Sequence, residues 1–155
     1  MNKTTNGFTI VELVIVITLI AILSTVATIS YTSILTSTRD EQRRSKTTAI
    51  SDALEKFYEK NGEYPGCTAM REPPATVVST TLKNITPDTL TAPTADSGTN
   101  SITCSDISGP GDDDVFAYVG SGSICSSGNA CVKYTLKYRE EGTSVIKTIV
   151  SRKGQ

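Results

Sequence analysis

Side chains able to carry acid–base or metal chemistry are few in this 155-residue chain, and their spacing excludes more than it allows. Histidine is absent. That removes Ser-His-Asp and Cys-His catalysis, imidazole general bases and His-ligated metal sites together. The carboxylates occur without an acid–base partner and no phosphate-cradling glycine loop is present, so no enzyme is expected. The four cysteines stand at 67, 104, 125 and 131, with no Cys-x-x-Cys among them. The spacing argues against zinc or a redox pair and for two disulfides formed in an oxidising compartment. Of three possible connectivities the expected one pairs Cys125 with Cys131 in a small loop and Cys67 with Cys104 across a long one. Asp112, Asp113 and Asp114 beside Gly111 are weak calcium candidates, because their spacing does not match an EF-hand and three adjacent acids cannot all converge on one ion. A solvated turn is the competing reading, and no cofactor is expected.

The remaining charge of interest is Glu12, and its position matters more than its chemistry. It is the single charge in a nearly unbroken apolar run from Phe8 to Ile29. As a helix this run reaches ~33 Å, enough to cross a hydrocarbon core of about 30 Å with its backbone hydrogen bonds satisfied internally. A carboxylate within such a segment costs about 2.5–3.5 kcal/mol on insertion scales, which points to a use. A leader of seven residues with one lysine, ending at Gly7, precedes the run. An ordinary signal peptide is cut after its apolar region, near Ser30 here. A cut at Gly7 would instead keep the helix.

The string Gly7-Phe8-Thr9-Ile10-Val11-Glu12 followed by an apolar helix resembles the start of type IV prepilins and type II secretion pseudopilins. The resemblance implies cleavage after Gly7 by a prepilin peptidase, N-methylation of the new terminus at Phe8, and an assembly role for Phe8 and Glu12. The physical logic is independent of the family. A buried carboxylate facing the Phe8 ammonium of a neighbouring subunit, at a helix end with free N–H groups, offsets the desolvation of both charges and fixes axial register. Many type IV pilins carry a proline near the position of Ile29, and this chain has none, so no proline kink is implied.

Neither proline nor glycine interrupts residues 8–60, so the helix is expected to continue to Asn61-Gly62, with Pro65 as breaker. Residues 24–37 are rich in Ser and Thr, mediocre helix formers. Residues 39–46 are strongly charged and read either as a solvated face or as inter-subunit pairing. Ile50, Ala53, Leu54, Phe57 and Tyr58 form one apolar stripe, with Asp52, Glu55, Lys56 and Glu59 expected away from it. The segment from Asp52 through Asn61-Gly62 to Tyr64-Pro65 resembles the helix end of major pseudopilins, which also place a calcium site in their C-terminal region.

Thirteen of the 31 residues from 76 to 106 are Ser or Thr, which predicts an ordered loop tied by disulfides, with short strands or turns near 76–83. Val115–Val119, Cys131–Tyr138 and Ser144–Val150 read as strands, the second with Val132, Tyr134, Leu136 and Tyr138 on one face. The expected fold is α+β and type IV pilin-like, with one long N-terminal helix on an antiparallel sheet of three or more strands. The expected divisions are a leader 1–7, an apolar half-helix 8–30, an amphipathic half 31–62 and a head 63–155, comprising loop 63–114 and sheet 115–151.

Charge is nearly balanced, 15 Lys+Arg against 16 Asp+Glu, and loss of Lys3 with the leader leaves 14 basic residues. Such a balance does not suggest a nucleic-acid protein. The expectation is a structural subunit, first anchored in the membrane with its C-terminal domain outside, then polymerised with other copies into a surface filament. The resemblance implies an assembly platform and ATPase, and roles in adhesion, twitching motility or DNA uptake. The alternatives are a secretion pseudopilin and a membrane-anchored binding domain that never polymerises.

Overall fold

The computed structural model describes residues 7–109, 111–121 and 131–153, with the side chains of 27–30 left aside. Helix α1 runs Ile10–Asn61 without interruption, as the lack of proline and glycine allows. It stops at Gly62, whose positive φ of 76° suits a left-handed cap and whose N–H donates to the Tyr58 carbonyl at 2.8 Å. By its contacts the chain falls into two units, one up to Thr36 and one from Ser37 onward.

In the second unit Ile50, Ala53 and Leu54 of α1 enter a core with Tyr64, Met70, Val77, Leu90, Phe116, Tyr118, Tyr134, Leu136 and Tyr138. The four strands β1 (Ile102–Thr103), β2 (Phe116–Ser121), β3 (Lys133–Arg139) and β4 (Ile146–Val150) lie in that order in one sheet. The β2–β3 and β3–β4 ladders are antiparallel, with Tyr118 opposite Leu136 and Leu136 opposite Ile149. Helix plus sheet is the α+β, pilin-like arrangement expected.

Four details correct the expectation. The sheet is mixed, because Ile102–Thr103 pairs in parallel with Phe116–Ala117. A two-residue strand leaves no alternation to read, and it is placed by its neighbours: Ser101 accepts from the Phe116 N–H and donates its own to Leu90. Second, the stretch 76–83 is not a strand. It falls largely in α3 (Pro74–Thr80), which follows α2 (Cys67–Met70), with Pro74 at the first helical position where its missing N–H costs nothing. Third, Val132 does not join the face of Tyr134, Leu136 and Tyr138. It precedes β3 and is exposed.

The fourth concerns Glu55, which is buried rather than turned to solvent. Its carboxylate accepts from the Tyr64 hydroxyl at 2.9 Å, the Tyr134 hydroxyl at 3.2 Å and the Arg152 N–H at 2.9 Å. Three donors make burial of the acid tolerable. Burial, then the bond to Glu55, pushes the Tyr64 phenol up to about 12, so it stays a donor. Burial likewise raises Tyr134.

Cys67 and Cys104 are disulfide-bonded, with Cα atoms 5.8 Å apart, and close a 37-residue separation. Cys131 is disulfide-bonded too. Cys125, and with it the expected Cys125–Cys131 pairing, lies outside the described residues. Replacing Cys67 and Cys104 by alanine together should lower stability by about 4 kcal/mol on the chain-entropy view. Urea unfolding of the full chain in detergent checks this, and an unchanged midpoint would show the 63–114 segment to be held by its packing alone.

Candidate functional site

Among the described residues the first unit presents the long apolar surface, and its residues were the ones singled out by the sequence. Within α1 lies an apolar stretch with no buried residue, and the helix is long and apolar enough to cross a membrane. Phe8 and Ile10 are each 81 % exposed, and Leu13, Ile17, Ile20 and Leu23 are exposed as well. The hydroxyls inside this segment are dealt with locally. Thr18 donates to the Ile15 carbonyl and Thr25 to the Ile22 carbonyl, each at 2.8 Å. Back-bonding of this kind removes the need for water at a position that lipid or another helix would cover.

Glu12 sits on the third helical position and is exposed. Thr9 precedes the helix and bonds it reciprocally. The Thr9 N–H donates to Glu12 Oε2 at 2.9 Å, the Thr9 hydroxyl donates to the same oxygen at 2.7 Å, and the Glu12 N–H donates to Thr9 Oγ1 at 3.2 Å. This is a capping box, which satisfies helix-end donors that otherwise have no partner. The Thr9-x-x-Glu12 spacing was a signal for it in the sequence. Both bonds to the carboxylate fall on Oε2, and Oε1 takes part in neither.

Gly7 adjoins Phe8 just before this cap. A methyl group built on Gly7 meets nothing within 4 Å. Its φ is not in the left-handed region either. Among the described residues nothing therefore demands glycine there.

The charged stretch 39–46 is divided: Glu41, Gln42 and Arg44 are exposed, as a solvated face would be, while Arg39, Asp40 and Arg43 are tied into their own head. Arg43 is 1 % exposed. Its Nε donates to the Asp113 carbonyl at 2.8 Å, Nη1 to Asp40 at 2.9 Å and Nη2 to the Thr94 hydroxyl at 3.2 Å, with Glu141 at 3.4 Å. Arg39 forks onto Glu141 through Nε and Nη2. Asp40 accepts the N–H groups of Glu141 and Gly142 at 2.7 and 2.9 Å. Sequence periodicity missed this cluster because its partners are Thr94, Asp113 and the turn between β3 and β4, from 51 to 102 residues away.

The calcium candidates are divided among different partners. Asp112 accepts the Ser108 and Gly109 N–H groups, each at 3.0 Å, and Asp113 accepts from Arg139 at 3.2 Å. Among the described residues no three Cys, Asp or Glu side chains gather as a metal site would need.

Compared with known proteins, residues 2–28 match the family described as Prokaryotic N-terminal methylation motif. The match takes in Gly7, Phe8, Glu12 and most of the apolar run, and none of the second unit. No curated protein and no solved structure matches the chain.

Proposed function

We propose that the chain is a type IV pilin- or pseudopilin-type precursor, a reading the motif match over residues 2–28 supports, and that its mature form polymerises through the apolar half of α1 into a surface filament of the type IV pilus kind. The observation that carries the reading is an apolar helical segment with none of its surface buried, which begins at a single carboxylate that is already positioned. Lipid covers that surface while the chain waits in the membrane, with its disulfide-bonded unit on the oxidising side. Neighbouring helices cover it once the chain is extracted. A prepilin peptidase removes residues 1–7, and an assembly platform with its ATPase drives the exchange.

Within this reading Glu12 has two jobs. Oε2 holds the capping box and Oε1 is open to the Phe8 ammonium of the next subunit. The pairing would satisfy a charge that the packed helices otherwise bury alone, and it would select one axial register. The disulfide and the Ser/Thr-rich segment favour a surface-exposed pilus over a short periplasmic pseudopilus.

Mass spectrometry of the N-terminal peptide from the native cells tests the reading. The expected peptide begins with N-methylated Phe8, and Gly7→Val leaves residues 1–7 attached. A mature chain that begins at Met1, at Asn2 or near Tyr31 would end the filament hypothesis. Electron microscopy of the cell surface then separates a pilus from a pseudopilus.

A further inference from the structure

On the second unit, away from the apolar segment, three lysines converge on one cleft. Lys56 and Lys60 stand one helical turn apart on α1, and Lys83 faces them from the segment after α3. Phe57, Asn61 and Asn84 also line this cavity of about 170 Å³. That is below the ~300–1,000 Å³ that takes a drug-sized ligand, so it suits one charged group with a small part of its carrier.

No carboxylate lines the cleft. The acids of the same helical turns are engaged elsewhere: Asp52 pairs with Arg152 at 2.8 Å, Glu59 with Lys153 at 2.7 Å, and Glu55 is buried among tyrosines. The chain's own tail thus takes up the direct pairing of Asp52 and Glu59, and Glu59 offsets Lys56 only through space while its carboxylate is bonded to Lys153. A helix C-terminus favours a cation, which accounts for Lys60. It accounts for neither Lys56, a turn earlier, nor Lys83, on a separate segment.

We propose that this cleft binds the phosphate or sulfate ester of a carbohydrate, with the ammonium groups on the oxyanion and the half-buried Phe57 ring against the sugar. A nucleic acid is the less suitable occupant. Its phosphates demand a cationic track, whereas here the cluster is confined and the whole chain carries a formal charge of −1. The inference rests on the second unit alone, so it stands or falls separately from the filament reading.

The test is ¹H–¹⁵N NMR titration of the full chain in detergent micelles with glucose 6-phosphate, glucose 6-sulfate, glucose and oligothymidylate. Saturable shifts of the Asn61 and Asn84 side-chain amides are expected with one or both esters, weakening as salt is added, and none with glucose. Which ester saturates identifies the source. Lys56→Gln with Lys83→Gln should raise the dissociation constant about tenfold or more, while Lys133→Gln leaves it unchanged. All three lysines are exposed, so an unchanged thermal midpoint confirms that the variants fold. No saturable shift, an equal response in the double variant, or tighter binding of oligothymidylate than of either ester would overturn the proposal.

Discussion

Chains carrying Glu12→Gln are expected to reach the membrane, lose residues 1–7 and acquire the N-methyl group, yet yield about a hundredfold fewer filaments. Glutamine can occupy the third position of a capping box, so the Thr9 bonds and the start of α1 survive. What disappears is the negative charge. On the proposed reading the Phe8 ammonium of each neighbour is then buried without a counter-charge, which costs about 3–5 kcal/mol per contact. Each 1.4 kcal/mol is tenfold in an equilibrium constant, so even the lower figure is severe in a polymer. Glu12→Leu removes the cap as well and should insert into the membrane more readily. Filament yield is read by shearing and immunoblotting, with the membrane fraction as control. Normal filaments from Glu12→Gln would leave Glu12 with a capping role only, and would favour a simple anchor.

Arg43→Met should be the most damaging substitution in the second unit. The guanidinium bonds to Asp40, Thr94 and the Asp113 carbonyl. Its removal leaves the carboxylates of Asp40 and Glu141 together with one cation fewer. Breaking a buried pair from one side costs about 3–5 kcal/mol, a large part of the 5–15 kcal/mol that holds a typical domain. A fall in thermal midpoint of roughly 10–20 °C follows, measurable by near-ultraviolet circular dichroism of the full chain. Arg43→Lys should rescue little, since an ammonium cannot reach a backbone carbonyl, a hydroxyl and a carboxylate in one plane.

The same cluster makes the fold sensitive to acid. The bond from Arg39, aided by its charge and that of Arg43, holds the Glu141 carboxyl below its ordinary value of 4.5 in spite of desolvation. A depressed acid contributes stability that is present above the unfolded value and is lost as pH falls through the folded one. Stability should therefore decline below about pH 4.5, and Arg39→Gln should flatten that decline.

The elements most legible in the sequence were those set by local rules. Absence of Gly and Pro foretold an unbroken α1, Asn61-Gly62 its end, and the period of Ile50, Ala53 and Leu54 its buried stripe. The Glu55 position failed because periodicity assigns every acid outward. Its burial depends on phenols from Tyr64 and Tyr134 that only the folded sheet brings near. Arg43 failed for the same reason, its partners Asp113 and Glu141 being distant in the chain. The Thr9–Glu12 box was readable, since it follows from the local Thr-x-x-Glu spacing alone. Pro73-Pro74 could have announced α3, where the Ser/Thr content suggested only a loop.

The burial of Glu55 has a consequence for the order of events in synthesis. Its third donor is the N–H of Arg152, and the Lys153 N–H reaches the Tyr64 hydroxyl at 3.2 Å. The centre of the core is thus closed by residues made almost a hundred positions later. Until they have been made, the Glu55 carboxylate and the Tyr64 phenol on the first-made side stay open to water and proteases. A ribosome that stops before residue 152 releases a chain unable to seal its own head, and such a chain is a substrate for degradation.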